Sequence, residues 1–433
     1  MTAAETIEAG GPIVPATPPQ VPRRTVLAGA AATGALLATG AGTAYAEASS
    51  SKRLIAYVGS RTTAARNARG AGITVWEVGN DGRDWTLLQT VAADDANPDT
   101  PAAPGMIPIN PSFLALSANS RFLYAVHGDD TRVSAFSVAP NGLLTVLNTV
   151  DAGHRNPVHL TLDPSGRWLV VAFLAVPGSA VSIAIGSDGS LGAIGSVLDL
   201  PGTPGPHKTQ QVGSNPHHVV FDPSGRWLTI VDRGFDRIFV ASFDSTTGAM
   251  KLNDPGWTQT REIEGPRHIV FHKTRPLAFV VTELRSSVIA YRWDNTAGVL
   301  TPLQVVAAQP PTMTGDTRGA EIAISRSGRY LYVSNRSGAG DNTPGGPDPD
   351  TIGIFSIRPN GLLDPVRWVS TEGIRPRYFG LVPDGRRLFA ANEVTDTIVG
   401  FDVRQDGGRL KSDGVVARTG SPVSIVFSSA AKR

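Results

Sequence analysis

Three side chains that could bind an anion or move a proton stand at the ends of two successive apolar stretches. Arg267 and His268 open the stretch that follows Gly265-Pro266, and Glu283 comes directly after the next one. If the two stretches form a β-hairpin, the start of the first strand and the end of the second lie at the same end of the sheet. A guanidinium, an imidazole and a carboxylate would then share one pocket. The alternative is a structural ion pair between Arg267 and Glu283 that ties the two strands together.

The same arrangement recurs along most of the chain. A proline or small residue opens an apolar stretch, a turn of the Asp-Pro-Ser-Gly-Arg type follows, and a second apolar stretch comes next. Glycine adopts the positive-φ conformation of such turns without steric cost. The openings recur at spacings of roughly 46 to 59 residues, the size of a four-stranded propeller blade. They begin at residues 111, 157, 216, 266, 320, 376 and 422.

The sequence therefore predicts an all-β fold, a seven-bladed β-propeller of four-stranded antiparallel blades. Residues 54–58, 73–78 and 86–90 have the patterns of a second, third and fourth strand without a first. Residues 423–427 have the pattern of a first strand with no strand after it. If this C-terminal strand pairs with the N-terminal segment, the ring closes without an open edge. The alternative is an open solenoid of seven units, which needs capping units at both ends.

In such a propeller the first strands line the central channel, and the loops of one face form a pocket. Polar side chains at the openings of first strands and at the ends of second strands should therefore meet in one cavity. These residues are His127, His159, His217, His218, Asp232, Arg233, Arg267, His268, Glu283, Glu321, Asn335, Arg336, Arg377, Asn392 and Glu393. Because a buried polar group costs free energy unless it is paired, their repetition at equivalent positions indicates a polar, partly charged cavity.

Composition excludes several classes of function. The 433 residues include 39 basic and 37 acidic ones, a formal charge of +2, so nothing indicates nucleic acid or an anionic membrane surface as a partner. The absence of cysteine excludes disulfides, thiol catalysis and cysteine-based zinc sites. The acidic, glycine-rich segment 341–350 could bind calcium, but it lacks the regular alternation of an EF-hand loop. We predict a site without metal or cofactor.

The N-terminus has the features of an export signal. Arg23-Arg24 precedes a weakly apolar run of Ala, Gly and Leu, and an Ala-x-Ala cleavage pattern ends at residue 46. We interpret residues 1–46 as a cleaved twin-arginine (Tat) signal, with the Tat export machinery as partner. The alternative is a disordered tail and an ordinary helix. A stable membrane anchor is disfavoured because the run is short and rich in Gly and Ala. Residues 47–53 would then be a linker, 54–428 the propeller and 429–433 a tail of an exported, periplasmic or extracellular monomer.

Over nearly all of residues 54–428 the chain resembles the seven-bladed β-propeller lactonase family. That family includes a 6-phosphogluconolactonase branch and fungal-type carboxy-muconate lactonizing enzymes. The motifs that carry the resemblance are residues 232–237, 265–268, 271–272, 282–284, 331–336 and 376–377. The resemblance implies a metal-independent site of His, Arg and Glu, and by motif position the catalytic residues are His217, Arg267, Glu283 and Arg336. We expect a further set to contact substrate: His159, His218, Asp232, Arg233, His268, Asn335 and Arg377.

Some positions depart from the family pattern. Asn215 replaces the first histidine of a His-x-His pair, Arg233 adds a cation, and Ala-Phe-Leu at residues 172–174 replaces Ala-Asn-Tyr. His127 stands at a position that is acidic in the family. These changes make the pocket less polar in one sector and more basic in another. The predicted export also argues against a sugar phosphate, which is a cytoplasmic intermediate.

These residues suit the hydrolysis of a small lactone. Arg267 and Arg336 could bind a carboxylate or a developing oxyanion, His217 could act as general base and then acid, and Glu283 could orient His217 or take the proton itself. Two other functions stay open: a cycloisomerase that forms a lactone from a muconate-like acid, and a propeller that binds a ligand without catalysis. Each of these residues could instead have a purely structural role. His217 would then be a hydrogen-bonded histidine in the wall of the channel that does not act as a base, and His159, His268 and Asp232 would only stabilise the fold.

Overall fold

The computed structural model describes residues 53–430, without residues 95–102, 104, 338–349 and 405. The signal predicted at residues 1–46, all but the last residue of the predicted linker and the last three residues of the predicted tail lie outside this range. In the described part of the chain, no helix is long and apolar enough to span a membrane.

In the described part of the chain, twenty-eight strands form seven sheets of four, and one short 3-10 turn covers Ala64–Arg66. Blade 1 contains β1 (Arg53–Ser60), β2 (Gly72–Val78), β3 (Trp85–Ala92) and β28 (Pro422–Ala430). Blade 2 contains β4 (Pro111–Leu116), β5 (Phe122–His127), β6 (Arg132–Val138) and β7 (Leu144–Asp151). Blade 3 contains β8 (Pro157–Leu162), β9 (Trp168–Phe173), β10 (Ser179–Ile185) and β11 (Leu191–Asp199).

The remaining four blades follow the same order. Blade 4 contains β12 (Pro216–Phe221), β13 (Trp227–Asp232), β14 (Arg237–Phe243) and β15 (Met250–Gln259). Blade 5 contains β16 (Pro266–Phe271), β17 (Leu277–Thr282), β18 (Ser287–Asp294) and β19 (Val299–Ala307). Blade 6 contains β20 (Thr317–Ile324), β21 (Tyr330–Ser337), β22 (Thr351–Ile357) and β23 (Leu363–Ser370). Blade 7 contains β24 (Pro376–Leu381), β25 (Arg387–Asn392), β26 (Thr397–Val403) and β27 (Leu410–Arg418).

Blade 1 is completed by the two ends of the described chain. The C-terminal strand β28 pairs with β1 in antiparallel register from Arg53↔Ala430 to Ser60↔Pro422. The Tyr57 hydroxyl lies 3.2 Å from Oγ of Ser428 across this pair. The predicted all-β, seven-bladed propeller and its closure by the C-terminal strand are therefore confirmed.

The first strand of most blades contains a bulge directly after its opening residue. In blades 2, 3, 4, 5 and 7 the ladder to the second strand skips the residue that follows the opening proline. In blade 6 the irregularity lies between Gly319 and Ile322. A bulge interrupts the strict alternation of side chains between the two faces of the sheet and changes the direction in which the side chain of the skipped residue points. The skipped residues are Ser112, Val158, His217, Arg267, Ala320, Glu321 and Arg377.

Apolar side chains fill the space between neighbouring blades. One buried cluster joins Ile55 and Tyr57 of blade 1 to Leu114 and Phe136 of blade 2. Corresponding clusters lie between the other neighbouring blades around the ring. Because such interiors are close-packed, the packing fixes where each first strand presents its opening residues.

Candidate active site

The Glu283 carboxylate is shared by three arginines from three blades. Its Oε1 lies 2.6 Å from Nη1 of Arg233, which follows β13. Its Oε2 lies 3.1 Å from Nε of Arg267 and 3.3 Å from Nη2 of Arg336. All four side chains are largely buried, with exposed fractions between 2% and 13%. The structure thus brings Arg267, Glu283 and Arg336 together, as the hairpin pattern predicted for the first two, and adds Arg233.

In five of the seven blades a residue at the end of the second strand carries a charge, and the sign alternates from one blade to the next. From blade 4 through blade 7 to blade 1 these residues are Arg233, Glu283, Arg336, Glu393 and Arg61. The last pair is joined by an ion pair of 3.0 Å between Nε of Arg61 and Oε1 of Glu393. At the same position blades 2 and 3 contribute Gly128 and Leu174, which carry no charge. The charged groups therefore come from five consecutive blades, and only blades 2 and 3 leave this position uncharged.

Glu283 is held in its ionised form. Burial alone would raise the pKa of its carboxyl group, but Arg233, Arg336 and Arg267 together bring that pKa well below its usual range. For Arg267, burial and then the charge of Arg336 lower the pKa to about 9, against the opposing effect of Glu283. The guanidinium stays protonated at neutral pH. The cluster is consequently a set of fixed charges rather than a set of proton carriers.

Arg377 adds a positive charge, and no carboxylate of the described residues forms an ion pair with it. Among the residues that the structure describes, none forms an ion pair or hydrogen bond with its guanidinium group. Burial and then the charges of Arg61, Arg267 and Arg336 lower the pKa of Arg377 well below the usual arginine value. Since an anion placed among these arginines would relieve their mutual repulsion, the position suits a carboxylate or phosphate group.

His217, at the bulge that opens β12, is buried and has an unpartnered ring nitrogen. Its Nδ1 has no hydrogen-bond partner among the described side chains and backbone groups, and its ring centroid lies 5.2 Å from that of His268. Burial and then the charge of Arg267 lower the pKa of His217 well below its usual range, so the imidazole is neutral. Both Glu283 oxygens are bound by arginines, and no hydrogen bond between Glu283 and His217 is present. Orientation of His217 by Glu283 therefore stays a prediction.

Six side chains at the openings of the first strands meet at the centre of the ring. We call this group the central layer: Phe113, His159, His218, His268, Glu321 and Tyr378. Ring centroids are 4.2 Å apart for Phe113 and His159, and 4.0 Å apart for His159 and His218. His218 stacks on His268 at 4.4 Å, and Nδ1 of His268 lies 3.3 Å from Oε1 of Glu321. Burial, followed by neighbouring charges and imidazoles, lowers the pKa of all three histidines well below the usual value.

Two residues of the predicted substrate-binding set form hydrogen bonds with other groups of the protein. Asp232 accepts a hydrogen bond of 2.6 Å from the Ser214 hydroxyl and others from the backbone N–H groups of Asn215, Gly234 and Phe235. The Asn335 amide donates to the carbonyl of Ala308 at 2.9 Å and to Oγ1 of Thr351 at 3.3 Å. These contacts shape the turn and the strand end on which both residues sit. A contact of either one with substrate stays a prediction.

Sequence reasoning missed Arg61 and assigned no role to Glu321. The expected second strand of blade 1 ended at residue 58, whereas β1 continues to Ser60, so Arg61 stands where Arg233 stands in blade 4. Aligning the ends of the second strands would have found it. Glu321 was expected in the cavity, but its central position depends on the bulge between Gly319 and Ile322.

No three His, Cys, Asp or Glu side chains in the described range are grouped so as to hold a metal ion. Most of the acidic segment 341–350 lies outside the described residues. Its last residue, Asp350, accepts backbone hydrogen bonds of 2.7 Å from Ser337 and 2.7 Å from Arg375.

Comparison with known proteins agrees with this architecture. Residues 55–427 match the sequence model of the family described as Lactonase, 7-bladed beta-propeller. A 6-phosphogluconolactonase of Bacillus subtilis (strain 168) is 31% identical over 322 residues, 73% of this chain and 87% of that protein. A 6-phosphogluconolactonase of Formosa agariphila is 33% identical over 314 residues, 70% of this chain and 84% of that protein. The structure of the periplasmic gluconolactonase of Pseudomonas aeruginosa matches with a TM-score of 0.73 at 25% identity, covering 88% of this chain and 99% of that one. On this evidence the chain belongs to the seven-bladed β-propeller lactonase family.

Proposed function

We propose that the protein hydrolyses a small lactone that carries an anionic substituent, at the cluster around Glu283. The observation that carries this proposal is Arg377, a largely buried guanidinium without an ion-pair partner in the described range, next to arginines that already share one carboxylate. Five arginines and two ionised glutamates belong to the cluster: Arg61, Arg233, Arg267, Arg336, Arg377, Glu283 and Glu393. At its edge, the Asp129 carboxylate lies 3.7 Å from Nη1 of Arg61, which still leaves more arginines than carboxylates. This excess of positive charge favours an anionic substrate.

Arg267 and Arg336 have donors left to stabilise an oxyanion. Arg267 uses Nε for Glu283 and Nη1 for the carbonyl of Ala320, at 2.6 Å. Arg336 uses Nη2 for the carbonyl of Gly319, at 2.9 Å, and for Glu283. Nη2 of Arg267 and Nη1 of Arg336 thus remain for the carbonyl oxygen of a lactone, where negative charge develops as water attacks. In this proposal Arg377 and Arg233 hold the anionic substituent.

His217 is the proposed base. Its neutral imidazole can take a proton from the water whose oxygen bonds to the carbonyl carbon. A bound anionic substrate would offset the positive charges that lower the pKa of His217, and would make it a stronger base in the complex. The ring carbon–oxygen bond then breaks, the leaving oxygen gains a proton, and the new carboxylic acid ionises. The released proton is what a pH-stat measures.

Glu283 is proposed to position the arginines rather than to carry a proton. Its lowered pKa makes it a weak base, and its oxygens already accept hydrogen bonds from Arg233 and Arg267. The neutral rings of His159, His218 and His268 are proposed to line the inner end of the substrate site. Direct contacts of Asp232 and Asn335 with substrate have no geometric support beyond their position at strand ends.

The protein is proposed to act outside the cytoplasm after export through residues 1–46. The twin arginine of the sequence supports this location, and one structural relative is named a periplasmic gluconolactonase. Replacing both Arg23 and Arg24 by Lys should keep a fused reporter in the cytoplasm, whereas the unaltered segment exports it. A reporter that stays inside with the unaltered segment would contradict the assignment.

The activity is tested by a pH-stat screen of anionic and neutral lactones with wild type and Arg267→Ala. We expect hydrolysis of an anionic lactone by the wild type and a loss of about 100-fold or more in kcat/KM for the variant. Arg404→Ala is the control, because its side chain is 54% exposed and pairs with Asp402 outside the cluster. Unchanged hydrolysis by Arg267→Ala would remove this mechanism. Lactone formation from an unsaturated diacid without lactone hydrolysis would support the cycloisomerase alternative, and binding without turnover the ligand-binding one.

A further inference from the structure

One buried carboxyl group beside the Glu283 cluster takes no part in the transfer of a proton from water to His217. Glu321 belongs to the central layer, at the irregularity of β20, and its side chain is 10% exposed. We propose that Glu321 is the acid of the site, which gives its proton to the ring oxygen that leaves as the lactone opens. This inference rests on the proposed lactone hydrolysis and assigns its second proton transfer.

The two oxygens of Glu321 have different surroundings. Oε1 accepts a hydrogen bond of 2.9 Å from the backbone N–H of Ile322 and lies 3.3 Å from Nδ1 of His268. Oε2 is buried, and no group in the described part of the chain forms a hydrogen bond with it. Buried polar atoms in native proteins almost always have a partner. A carboxyl O–H on Oε2 would find its acceptor in a water or in a substrate oxygen.

The contacts of His268 place the exchangeable proton on Oε2. Nη1 of Arg267 lies 3.1 Å from Nε2 of His268, and an arginine can only donate. Nε2 must therefore accept, so Nδ1 carries the ring proton and donates it to Oε1 of Glu321. Oε1 then receives two hydrogen bonds, and a proton bound to Glu321 sits on the free Oε2.

Charged and titratable groups face Glu321 from three neighbouring strands, and a hydroxyl faces its backbone. These groups are His268 and Arg267 on β16, His218 on β12, Arg377 and Tyr378 on β24, and Ser334 on β21. Burial raises the pKa of Glu321 to about 7, because it outweighs the Ile322 N–H and the charge of Arg267. The pKa values of Glu283 and Glu393 are lowered instead. At neutral pH Glu321 can thus hold a proton while those two carboxylates cannot.

The two proton transfers balance. His217 takes a proton from the attacking water as the new carbon–oxygen bond forms. The ring carbon–oxygen bond then breaks, and Glu321 protonates the leaving oxygen, which gives a hydroxy acid. The acid ionises and releases one proton. His217 returns its proton to solvent and Glu321 regains one, so the net reaction is lactone plus water to hydroxy carboxylate plus a proton.

The decisive experiment compares leaving groups in wild type and Glu321→Gln. An aliphatic alkoxide needs a proton to leave, whereas the phenolate released from a dihydrocoumarin-type lactone does not. With a carboxylated aliphatic lactone we expect Glu321→Gln to lower kcat/KM about 100-fold or more. With a carboxylated dihydrocoumarin the loss should be less than about fivefold. A glutamine can still accept the His268 hydrogen bond, so a residue that only positions His268 would show no such dependence on the leaving group.

The pH profile supplies a second readout. With the aliphatic lactone, kcat/KM of the wild type should fall as pH rises through about 7, and Glu321→Gln should lack this limb. Arg404→Ala changes an exposed side chain that pairs with Asp402 outside the site and should keep the wild-type profile. Equal losses on both lactones, or an unchanged limb in Glu321→Gln, would overturn the inference.

An infrared measurement separates this inference from the proposed function. The wild type minus Glu321→Gln difference spectrum should contain the band of a protonated carboxyl group that disappears with a midpoint near pH 7. If no lactone is hydrolysed, the proposed function fails, but this band still reports whether Glu321 holds a proton. Its absence at about pH 5.5 would overturn the inference whatever the activity.

Discussion

Nη1 of Arg233 lies 2.6 Å from Oε1 of Glu283 and joins the end of β13 in blade 4 to the end of β17 in blade 5. The other carboxylate oxygen binds Arg267 and Arg336, so one buried anion sets the positions of three cations. A buried charge that loses its partner costs far more than an exposed one. The geometry of the whole cluster therefore depends on a single side chain.

Glu283→Gln should damage both activity and stability. The substitution keeps the size of the side chain but leaves three largely buried guanidinium groups without their shared counter-charge. We expect kcat/KM to fall by about 100-fold or more and the free energy of unfolding by about 3–5 kcal/mol. Steady-state kinetics and urea unfolding measure the two effects. The exposed Glu262→Gln is the matched control and should change neither.

The stability effect of Glu283→Gln should also depend on pH. The pKa of Glu283 is lowered in the folded protein, so the stability it supplies is fully present above its unfolded pKa, near 4.5. That stability is lost as pH falls through the folded pKa. The difference in unfolding free energy between wild type and variant should therefore shrink as pH drops from about 7 to about 3. A constant difference across this range would contradict an ionised Glu283.

Arg377→Ala should weaken substrate binding more than it slows the chemical step. Arg377 has no carboxylate partner in the described range, so the substitution strands no buried anion. We expect KM for an anionic lactone to rise about 10- to 100-fold with kcat within about threefold of wild type. A neutral lactone of the same ring should show no such rise. An unaltered KM for the anionic lactone would show that Arg377 does not contact the substituent.

The fold could be predicted from the sequence because its signal is repeated. Each blade has the same order of opening residue, apolar stretch and glycine turn, and the register of a hairpin then places Arg267 beside Glu283. The ring closure was predictable from the unmatched strand patterns at the two ends. These features depend on the periodicity of apolar residues and on the pairing of strands that follow each other in the chain. Both can be inferred from a single sequence.

The details of the site depend on distances between blades, which the sequence does not record. Glu321 reaches the central layer because β20 is irregular between Gly319 and Ile322, and no residue type marks that bulge in advance. A histidine ordinarily titrates near neutrality, but burial and the charge of Arg267 lower the pKa of His217 well below its usual range. Such shifts sum over groups that are far apart along the chain.

Removing β28 should prevent the propeller from closing. A chain that ends at Ser421 lacks all the pairing between β1 and β28 and the contact between Tyr57 and Ser428. It exposes an unpaired edge on β1, and the loss is comparable with the total stability of about 5–15 kcal/mol that a typical protein has. We expect no cooperative thermal transition in circular dichroism. A chain that ends at Ala430 keeps β28 and should unfold like wild type.

Glu321→Gln should change stability with a pH dependence opposite in sign to that of Glu283→Gln. The pKa of Glu321 is raised to about 7 in the folded protein from 4.5, so between these values the folded state binds more protons than the unfolded state. Wild-type stability contributed by this group therefore falls as pH rises through that window, and glutamine removes the dependence. Relative to wild type, Glu321→Gln should be increasingly stable between about pH 4.5 and about pH 7 in urea unfolding. A relative stability that falls over the same range would mean that Glu321 is ionised and stabilised by Arg267, as Glu283 is.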